Sequence, residues 1–229
     1  MTRPPFPAPR AILFDLDGTL ADTAPDLAAA VNLLRTARGL EPTPYEILRP
    51  TASAGARGMI GAAFGLAPGD EGYEELRLQW FDNYQNAMAV HSTLFDGITD
   101  LLNGIADNGM GWGIVTNKPA RFTDPLVGMI GLGHAGCVIS GDTMPQPKPH
   151  PGPLLEGARR LGIAPEQCWY VGDDQRDVEA GRAAGMLTIA CTWGYCGSVD
   201  PATWGADVLL ATPQALLDLL LSTTRELAA

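Results

Sequence analysis

The chain has 229 residues, of which 46% are hydrophobic and 18% charged, a composition typical of a globular protein. Its length fits one large domain, or a core with a second, smaller part. With 15 Lys and Arg against 26 Asp and Glu, the net charge is −11. This charge argues against partners such as nucleic acid or an anionic membrane, because both are polyanionic. It does not exclude a small anionic substrate bound by local cations.

The start of the chain and its cysteines indicate a cytoplasmic protein. Residues 1–9 are rich in proline and lack an apolar core, which predicts an extended arm and not a signal peptide. No apolar run reaches the roughly 20 residues that span a membrane. We expect the cysteines to be buried, reduced thiols that form no zinc site. The four cysteines are Cys137, Cys168, Cys191 and Cys196.

Short apolar runs alternate with helical patterns over most of the chain. The runs show no polar alternation, which is typical of strands buried on both faces of a parallel sheet. Repeated strand–helix–strand units predict an α/β fold with a doubly wound, Rossmann-like parallel sheet. The predicted strands are residues 11–14, 113–115, 137–139, 169–171 and 187–190, and helical patterns cover 101–105, 125–130 and 153–161.

One stretch, from about residue 23 to 89, contains helical patterns and no strand. Leu27, Ala30, Val31 and Leu34 form an i, i+3, i+4, i+7 stripe that stops before Gly39. A second stripe over residues 73–88 is rich in aromatic residues, which we interpret as core packing. A helical block inserted after the first strand of an α/β core predicts a second, smaller domain.

Two carboxylates follow the first predicted strand, in the sequence Asp15-Leu16-Asp17-Gly18-Thr19. Ligands of open α/β sheets bind at the carboxyl ends of strands. Residues i and i+2 of a strand point the same way, so both aspartates can face one cleft. Adjacent carboxylates repel unless they share a cation or a proton, which favours a Mg²⁺ site.

Three further elements strengthen this interpretation. Thr116 and Asn117 place a hydroxyl and an amide at the end of another predicted strand, and Lys148 lies in a proline-flanked loop. An acidic cluster over residues 172–177 follows a later strand. Together these groups supply a nucleophile, a general acid, a hydroxyl donor, a cation and metal ligands. Phosphoryl transfer requires such a set, because it depends on positioning and on neutralising charge.

In these motifs and their order, the sequence resembles the haloacid dehalogenase superfamily of phosphohydrolases. Asp15-x-Asp17-Gly18-Thr19 resembles its first motif, Thr116 its second, Lys148 its third and Gly172-Asp173-Asp174-x-x-Asp177 its fourth. The resemblance covers the whole chain except the proline-rich arm. It implies a Mg²⁺-dependent phosphatase with a covalent aspartyl-phosphate intermediate.

The resemblance also implies roles for individual residues. Asp15 would be the nucleophile, and Asp17 the acid that protonates the leaving oxygen and then activates water. Mg²⁺ would be held by the carboxylates of Asp15 and Asp173 and by the main-chain carbonyl of Asp17. The phosphoryl group would be bound by Thr116 and Lys148, with Asn117 and Gly18 as further binding residues. Asp177 would orient these groups, and Asp174 would either do the same or be a bystander.

The helical insertion resembles the mobile cap of one subgroup of this superfamily. We therefore expect residues 1–22 and 91–229 to form the core and residues 23–90 the cap, a lid that excludes water. Arg57, in the glycine-rich run 53–58, is either a substrate contact or a solvated charge. His91 is a weaker candidate, because an unpaired histidine is more often structural.

The expected substrate is a small phosphorylated metabolite. The chain as a whole resembles phosphoglycolate phosphatases. Several short segments, or strings, resemble more closely the N-acetylmuramic acid 6-phosphate phosphatases of bacterial wall recycling. These strings are residues 53–57, 90–97, 116–122, 193–195 and 204–207. A sugar phosphomutase would use the same motifs, and a receiver-like module that accepts a phosphoryl group is a more distant alternative. The protein is expected to be a monomer or a small homo-oligomer.

Overall fold

A computed structural model describes residues 6–225 of the chain. Within this range, six strands form a parallel sheet in the order β5-β4-β1-β6-β7-β8, and β2 and β3 form a separate antiparallel pair. The strands are β1 (Ala11–Phe14), β2 (Ala21–Asp22), β3 (Thr93–Leu94), β4 (Gly111–Val115), β5 (Val138–Ile139), β6 (Cys168–Gly172), β7 (Leu187–Cys191) and β8 (Val208–Leu210).

Nine α-helices surround and extend the sheet within the described range, and three short 3-10 helices cover Arg49–Ala54, Pro165–Gln167 and Pro201–Thr203. The predicted doubly wound α/β fold is confirmed. The α-helices are α1 (Ala24–Thr36), α2 (Tyr45–Leu48), α3 (Gly55–Phe64), α4 (Tyr73–Asn86), α5 (Ile98–Asp107), α6 (Ala120–Met129), α7 (Gly152–Leu161), α8 (Gln175–Ala183) and α9 (Pro213–Arg225).

Strand β1 lies at the centre of the sheet and determines where the site forms. All four of its residues are fully buried, as expected for a strand covered on both faces. Phe14 is in register with Ile114 of β4 on one side and with Val171 of β6 on the other. The residues that follow these three strands therefore emerge side by side at one edge.

The helical insertion is confirmed, and it packs around its own core. Helices α1–α4 lie between the paired strands β2 and β3, in which Ala21 is opposite Leu94. The predicted stripes point inward, because Leu27, Val31 and Leu34 of α1 are buried together with four residues of α4. We call this helical block the cap.

Two buried groups fix the ends of the cap. The Asp26 carboxylate accepts hydrogen bonds from the backbone N–H groups of His91 and Ser92 and from the Ser92 hydroxyl, at 2.6–3.1 Å. At the start of α1, the Tyr195 hydroxyl accepts from the N–H groups of Thr23 and Ala24, at 2.7 and 2.9 Å. It thereby binds N–H groups that the first turn of a helix leaves without a partner.

Helix α6 starts five residues earlier than the proline pattern predicts. Pro125 suggests a helix start, but α6 runs over Ala120–Met129 and contains Pro125. The Asp142 carboxylate accepts a hydrogen bond from the Ala120 N–H at 2.9 Å and so supports the true start. This partner is 22 residues away in sequence, so the local pattern could not indicate it.

Three other expectations concern the arm, the membrane and the cysteines. Residues 1–5 of the predicted arm lie outside the described residues, and Phe6 packs against the main core. No helix in the described range has the length and apolarity needed to cross a membrane. All four cysteines are free. Cys137, Cys168 and Cys191 are buried as expected, whereas Cys196 is only partly buried.

Candidate active site

The predicted motif residues meet at the carboxyl edge of the sheet. Asp15 follows β1, Thr116 follows β4 and Asp173 follows β6. Lys148 comes from the loop between β5 and α7, and its Nζ lies 2.9 Å from Oδ1 of Asp15. All four side chains are buried, so their charges interact with little screening by water.

Lys148 is the centre of a buried polar network. Its Nζ donates hydrogen bonds to Oδ1 of Asp177 at 2.7 Å and to the Tyr170 hydroxyl at 2.8 Å. Burial alone would lower the pKa of Lys148, but the carboxylates of Asp15 and Asp177 raise it above its ordinary value. The ammonium group therefore stays charged beside the proposed nucleophile.

Asn117 holds the Lys148 loop in place. Its Nδ2 donates to the Lys148 carbonyl at 2.8 Å, and its Oδ1 accepts from the Lys148 N–H at 2.9 Å. The Lys148–Pro149 peptide bond is cis. Asn117 also lines the cavity described below, but both ends of its amide already have partners. Asn117 therefore positions Lys148 through these two hydrogen bonds.

Asp173 is fully buried and lies among hydrogen-bond donors. Its carboxylate accepts from the Thr19 hydroxyl at 3.1 Å, from the Tyr195 N–H at 2.8 Å and from the Ser53 hydroxyl of the cap at 3.3 Å. Burial, followed by the charges of Asp15 and Asp177, raises the pKa of Asp173 to about 8. Too little positive charge lies near this carboxylate for it to ionise at the pH at which an exposed aspartate does.

Two glycines allow the backbone to approach Asp173. Gly18 has φ +87°, and a Cβ there would overlap the Asp173 carboxylate. A Cβ at Gly194 would likewise overlap Asp173 and the Gly18 carbonyl. Gly18 was predicted to bind substrate, but it is buried against Asp173 and does not line the cavity. Because Gly18 has no side chain, its backbone can pack directly against the Asp173 carboxylate.

Asp174 and Asp177 form a capping box at the N-terminus of helix α8. The Asp174 carboxylate accepts from the Arg176 N–H, and the Asp177 carboxylate accepts from the Asp174 N–H at 3.1 Å. Asp174 also pairs with the Arg176 guanidinium, which donates to the Ser53 carbonyl of the cap at 2.9 Å. Asp174 therefore helps to join core and cap, and Asp177 contacts Lys148 directly.

Three carboxylates form a group that fits a divalent cation. Oxygens of Asp15, Asp173 and Asp177 lie within 4.8 Å of one another, and all three residues are buried. Burial raises the pKa of Asp177 as well, although Lys148 opposes the shift. A set of oxygen ligands with excess negative charge suits a hard cation such as Mg²⁺. The three carboxylates present therefore fit this ion.

Lys118 is a site residue that the motif analysis missed. Its Nζ lies 3.1 and 3.2 Å from the two carboxylate oxygens of Asp17, and the Thr23 hydroxyl donates to the same carboxylate. Burial would lower the pKa of Lys118, but Asp17, followed by Tyr84, raises it above its ordinary value. The composition could have indicated that Lys118 is a site residue, because Lys118 and Lys148 are the only lysines in the chain.

A cavity of about 300 Å³ lies between the carboxyl edge of the sheet and the cap. This is large enough for a small metabolite. Arg57, whose role the sequence left open, lines the cavity from the cap side, whereas His91 is exposed and does not line it. The core contributes Asp15, Asp17, Thr116, Asn117, Lys118 and Lys148, and the cap contributes Leu27, residues 52–57, Trp80, Phe81 and Tyr84.

Sequence comparison identifies the class of protein that this fold and site define. A family model for haloacid dehalogenase-like hydrolases matches residues 12–191. The chain belongs to this family, and it is a phosphatase that hydrolyses phosphate monoesters. It is 45% identical over 213 residues to an N-acetylmuramic acid 6-phosphate phosphatase of Pseudomonas aeruginosa, covering 92% of this chain and 94% of that protein.

A second relative carries a different substrate in its name. The chain is 44% identical over 210 residues to a phosphoglycolate phosphatase of Xanthomonas campestris, covering 91% of this chain and 95% of that protein. Among solved structures, a predicted phosphoglycolate phosphatase from Haemophilus somnus is similar, with a TM-score of 0.81 and 25% identity over 92% of this chain and 97% of that chain. The family and the phosphatase activity are therefore established, and the names of these relatives contain two different substrates.

Proposed function

We propose that this phosphatase is Mg²⁺-dependent and acts on a small phosphorylated metabolite through an aspartyl-phosphate intermediate. The observation that carries the proposal is the ion pair between Asp15 and Lys148 at the edge of the sheet, 2.9 Å apart. It places a buried carboxylate beside a fixed cation, at the floor of a cavity that can hold a phosphate ester. The proposed substrates are phosphoglycolate and N-acetylmuramic acid 6-phosphate.

In the first step, a carboxylate oxygen of Asp15 attacks phosphorus and the bond from phosphorus to the ester oxygen breaks. Asp17 gives its proton to the leaving oxygen, so an alcohol departs. In the second step, Asp17 takes a proton from water, and the resulting hydroxide attacks phosphorus. The bond between phosphorus and Asp15 then breaks, which releases inorganic phosphate and restores both aspartates.

The remaining residues bind charge and fix positions. Thr116 and Lys148 bind phosphoryl oxygens, and Lys148 also offsets the charge of Asp15. Asp15, Asp173 and the Asp17 carbonyl would hold Mg²⁺, and Asp177 is close enough to join them or to orient Lys148. When bound, the ion neutralises negative charge that develops on the transferring group.

The lid function of the cap is part of the same proposal. Core and cap are joined next to the acidic group, by the bonds from Arg176 to the Ser53 carbonyl and from Ser53 to Asp173. A cap held there covers the site during the covalent step. We also propose a cytoplasmic location, which the free cysteines support, because disulfides are rare in reducing compartments.

A phosphate-release screen over phosphorylated metabolites tests the proposal, with and without Mg²⁺. We expect release from phosphoglycolate or N-acetylmuramic acid 6-phosphate only with Mg²⁺. Asp15→Asn should lower turnover by more than about 1,000-fold, because the nucleophile is lost. Asp107→Asn, at an exposed position on α5, is the matched control and should keep full activity. Normal turnover by Asp15→Asn would overturn the covalent scheme, and isomerisation without release would indicate a mutase.

A further inference from the structure

Tyr84 lines the cavity, and its buried hydroxyl group has no hydrogen-bond partner among the described residues. Tyr84 belongs to α4 of the cap, and only 1% of its surface is exposed. Among the described residues, no group is in hydrogen-bonding geometry with its hydroxyl oxygen. A buried hydroxyl without a partner costs free energy, so its retention calls for a reason. Its position at the cavity suggests that a bound molecule supplies the missing partner.

Other polar aromatic groups near the cavity already have partners. Trp80, which stacks on Tyr84, donates its Nε1–H to the Leu27 carbonyl at 3.1 Å. The Tyr195 hydroxyl has two backbone donors and also bonds to Asp22 at 3.0 Å. The missing bond is therefore specific to Tyr84 within this group of aromatic residues.

The ring of Tyr84 is held rigidly, so its hydroxyl has a defined position. It lies parallel to Trp80, with ring centroids 5.8 Å apart and an interplanar angle of 9°. It also packs edge-on against Phe122 of the core, at 5.2 Å and 67°. A donor fixed in this way binds a partner with little loss of side-chain entropy.

Tyr84 also lies against the proposed acid–base pair. The Lys118 ammonium lies 4.6 Å from the centroid of its ring, close enough to interact electrostatically with the hydroxyl but outside the geometry of a hydrogen bond. The same ammonium contacts both oxygens of Asp17. Because Asp17 must reach the leaving oxygen, Tyr84 lies on the side of the cavity that faces the leaving group.

We propose that the Tyr84 hydroxyl, together with Lys118, forms a subsite for an acceptor oxygen on the carbon next to the ester carbon of the leaving group. The inference rests on the proposed phosphatase function and deepens it. In phosphoglycolate that carbon is the carboxylate carbon, and in a hexose 6-phosphate it carries the ring oxygen. One subsite therefore accounts for both substrate classes.

The test compares wild type with Tyr84→Phe, which removes only the hydroxyl oxygen. The probes are phosphoglycolate, N-acetylmuramic acid 6-phosphate and ethyl phosphate, which lacks the acceptor oxygen. We expect kcat/KM to fall about tenfold or more for phosphoglycolate, whose acceptor oxygen is charged, and about twofold to tenfold for N-acetylmuramic acid 6-phosphate, whose ring oxygen is neutral. It should change by less than about twofold for ethyl phosphate. Tyr73→Phe, a buried cap tyrosine outside the cavity, should change none of these values.

The outcomes separate the subsite from the phosphatase function. Equal losses on all three esters, or no loss on either acid, would overturn the subsite alone. If wild type releases phosphate from none of them, the proposed substrates are wrong, and the subsite that rests on them fails as well. The melting temperature distinguishes a structural role, since Tyr84→Phe removes an unpartnered group and should not lower it. A lower melting temperature with uniform loss of activity would also overturn the subsite.

Discussion

The ammonium group of Lys118 contacts both carboxylate oxygens of Asp17, at 3.1 and 3.2 Å. Thr23, at the entrance to the cap, donates to the same carboxylate. Asp17 is thus held by one residue from the core and one from the linker to the cap. This arrangement makes Lys118 a positioning residue for the proposed general acid.

Lys118→Met should lower kcat by about tenfold to a hundredfold, because a misplaced acid loses part of the 10²–10⁴-fold effect of general acid–base catalysis. KM should change less, since Lys148 still binds the phosphoryl group. Lys118→Arg should restore part of the loss, and Arg159→Met, at an exposed position on α7, is the control. A change confined to KM would show that Lys118 contributes to substrate binding alone and does not position Asp17.

Mg²⁺ should stabilise the protein more at pH 8 than at pH 6. The folded pKa of Asp173, about 8, lies above its unfolded value near 3.9, so the folded state binds more protons. The stability of the metal-free protein should therefore fall as pH rises from about 4 through 8. Mg²⁺ binds the ionised carboxylate and offsets this loss, which melting temperatures with and without the ion will measure.

Asp173→Asn provides the comparison for the pH experiment. The variant lacks the titrating carboxylate and should show a smaller gain from Mg²⁺ and a flatter dependence of stability on pH. An equal gain in melting temperature at pH 6 and pH 8 in the wild-type protein would contradict the assignment of Asp173 as a ligand.

Gly18→Ala should abolish most activity and weaken stabilisation by Mg²⁺, because the new Cβ overlaps the Asp173 carboxylate. Gly39→Ala is a matched control, since Gly39 also has positive φ, +70°, but has no atom within 4 Å of an added Cβ. Both variants carry backbone strain of about 1 kcal/mol. Only Gly18→Ala should lose turnover, and similar activity in the two variants would refute the close-packing argument.

Arg57→Ala should reduce kcat/KM for the preferred acidic metabolite about tenfold and for an aryl phosphate much less. Arg57 lines the cavity from the cap and is exposed, so its charge is available to a substrate carboxylate. Arg38→Ala, which changes a cap arginine outside the cavity, is the control. Equal losses on both substrates would remove Arg57 from any role in specificity.

Strand ends explain why much of the site can be predicted from the sequence. Buried parallel strands leave continuous apolar runs, and the polar residues that follow them must meet at one edge. Asp15, Thr116 and Asp173 were located in this way. Lys148 was found only through its place in a set of motifs, since a single lysine in a loop has no local signal.

Contacts made across the fold were not predictable in the same way. The role of Lys118 depends on Asp17, 101 residues earlier, and the capping of α1 by Tyr195 spans 172 residues. Strands β2 and β3, with two residues each, are too short to show a period. From the sequence, Asn117 is expected to bind the phosphoryl group, but in the structure its side-chain amide binds the backbone of Lys148.

Because the chain has only two lysines, reagents that modify lysine can report on this site selectively. Both lysines lie within the candidate active site, where Lys118 is 8% exposed and Lys148 is 4% exposed. Every other basic side chain apart from histidine is an arginine. An amine-directed acylating reagent can therefore add at most two lysine adducts, and each requires the site to open. The rate of lysine acylation, followed by mass spectrometry, becomes a direct measure of cap opening with no lysine background from the surface.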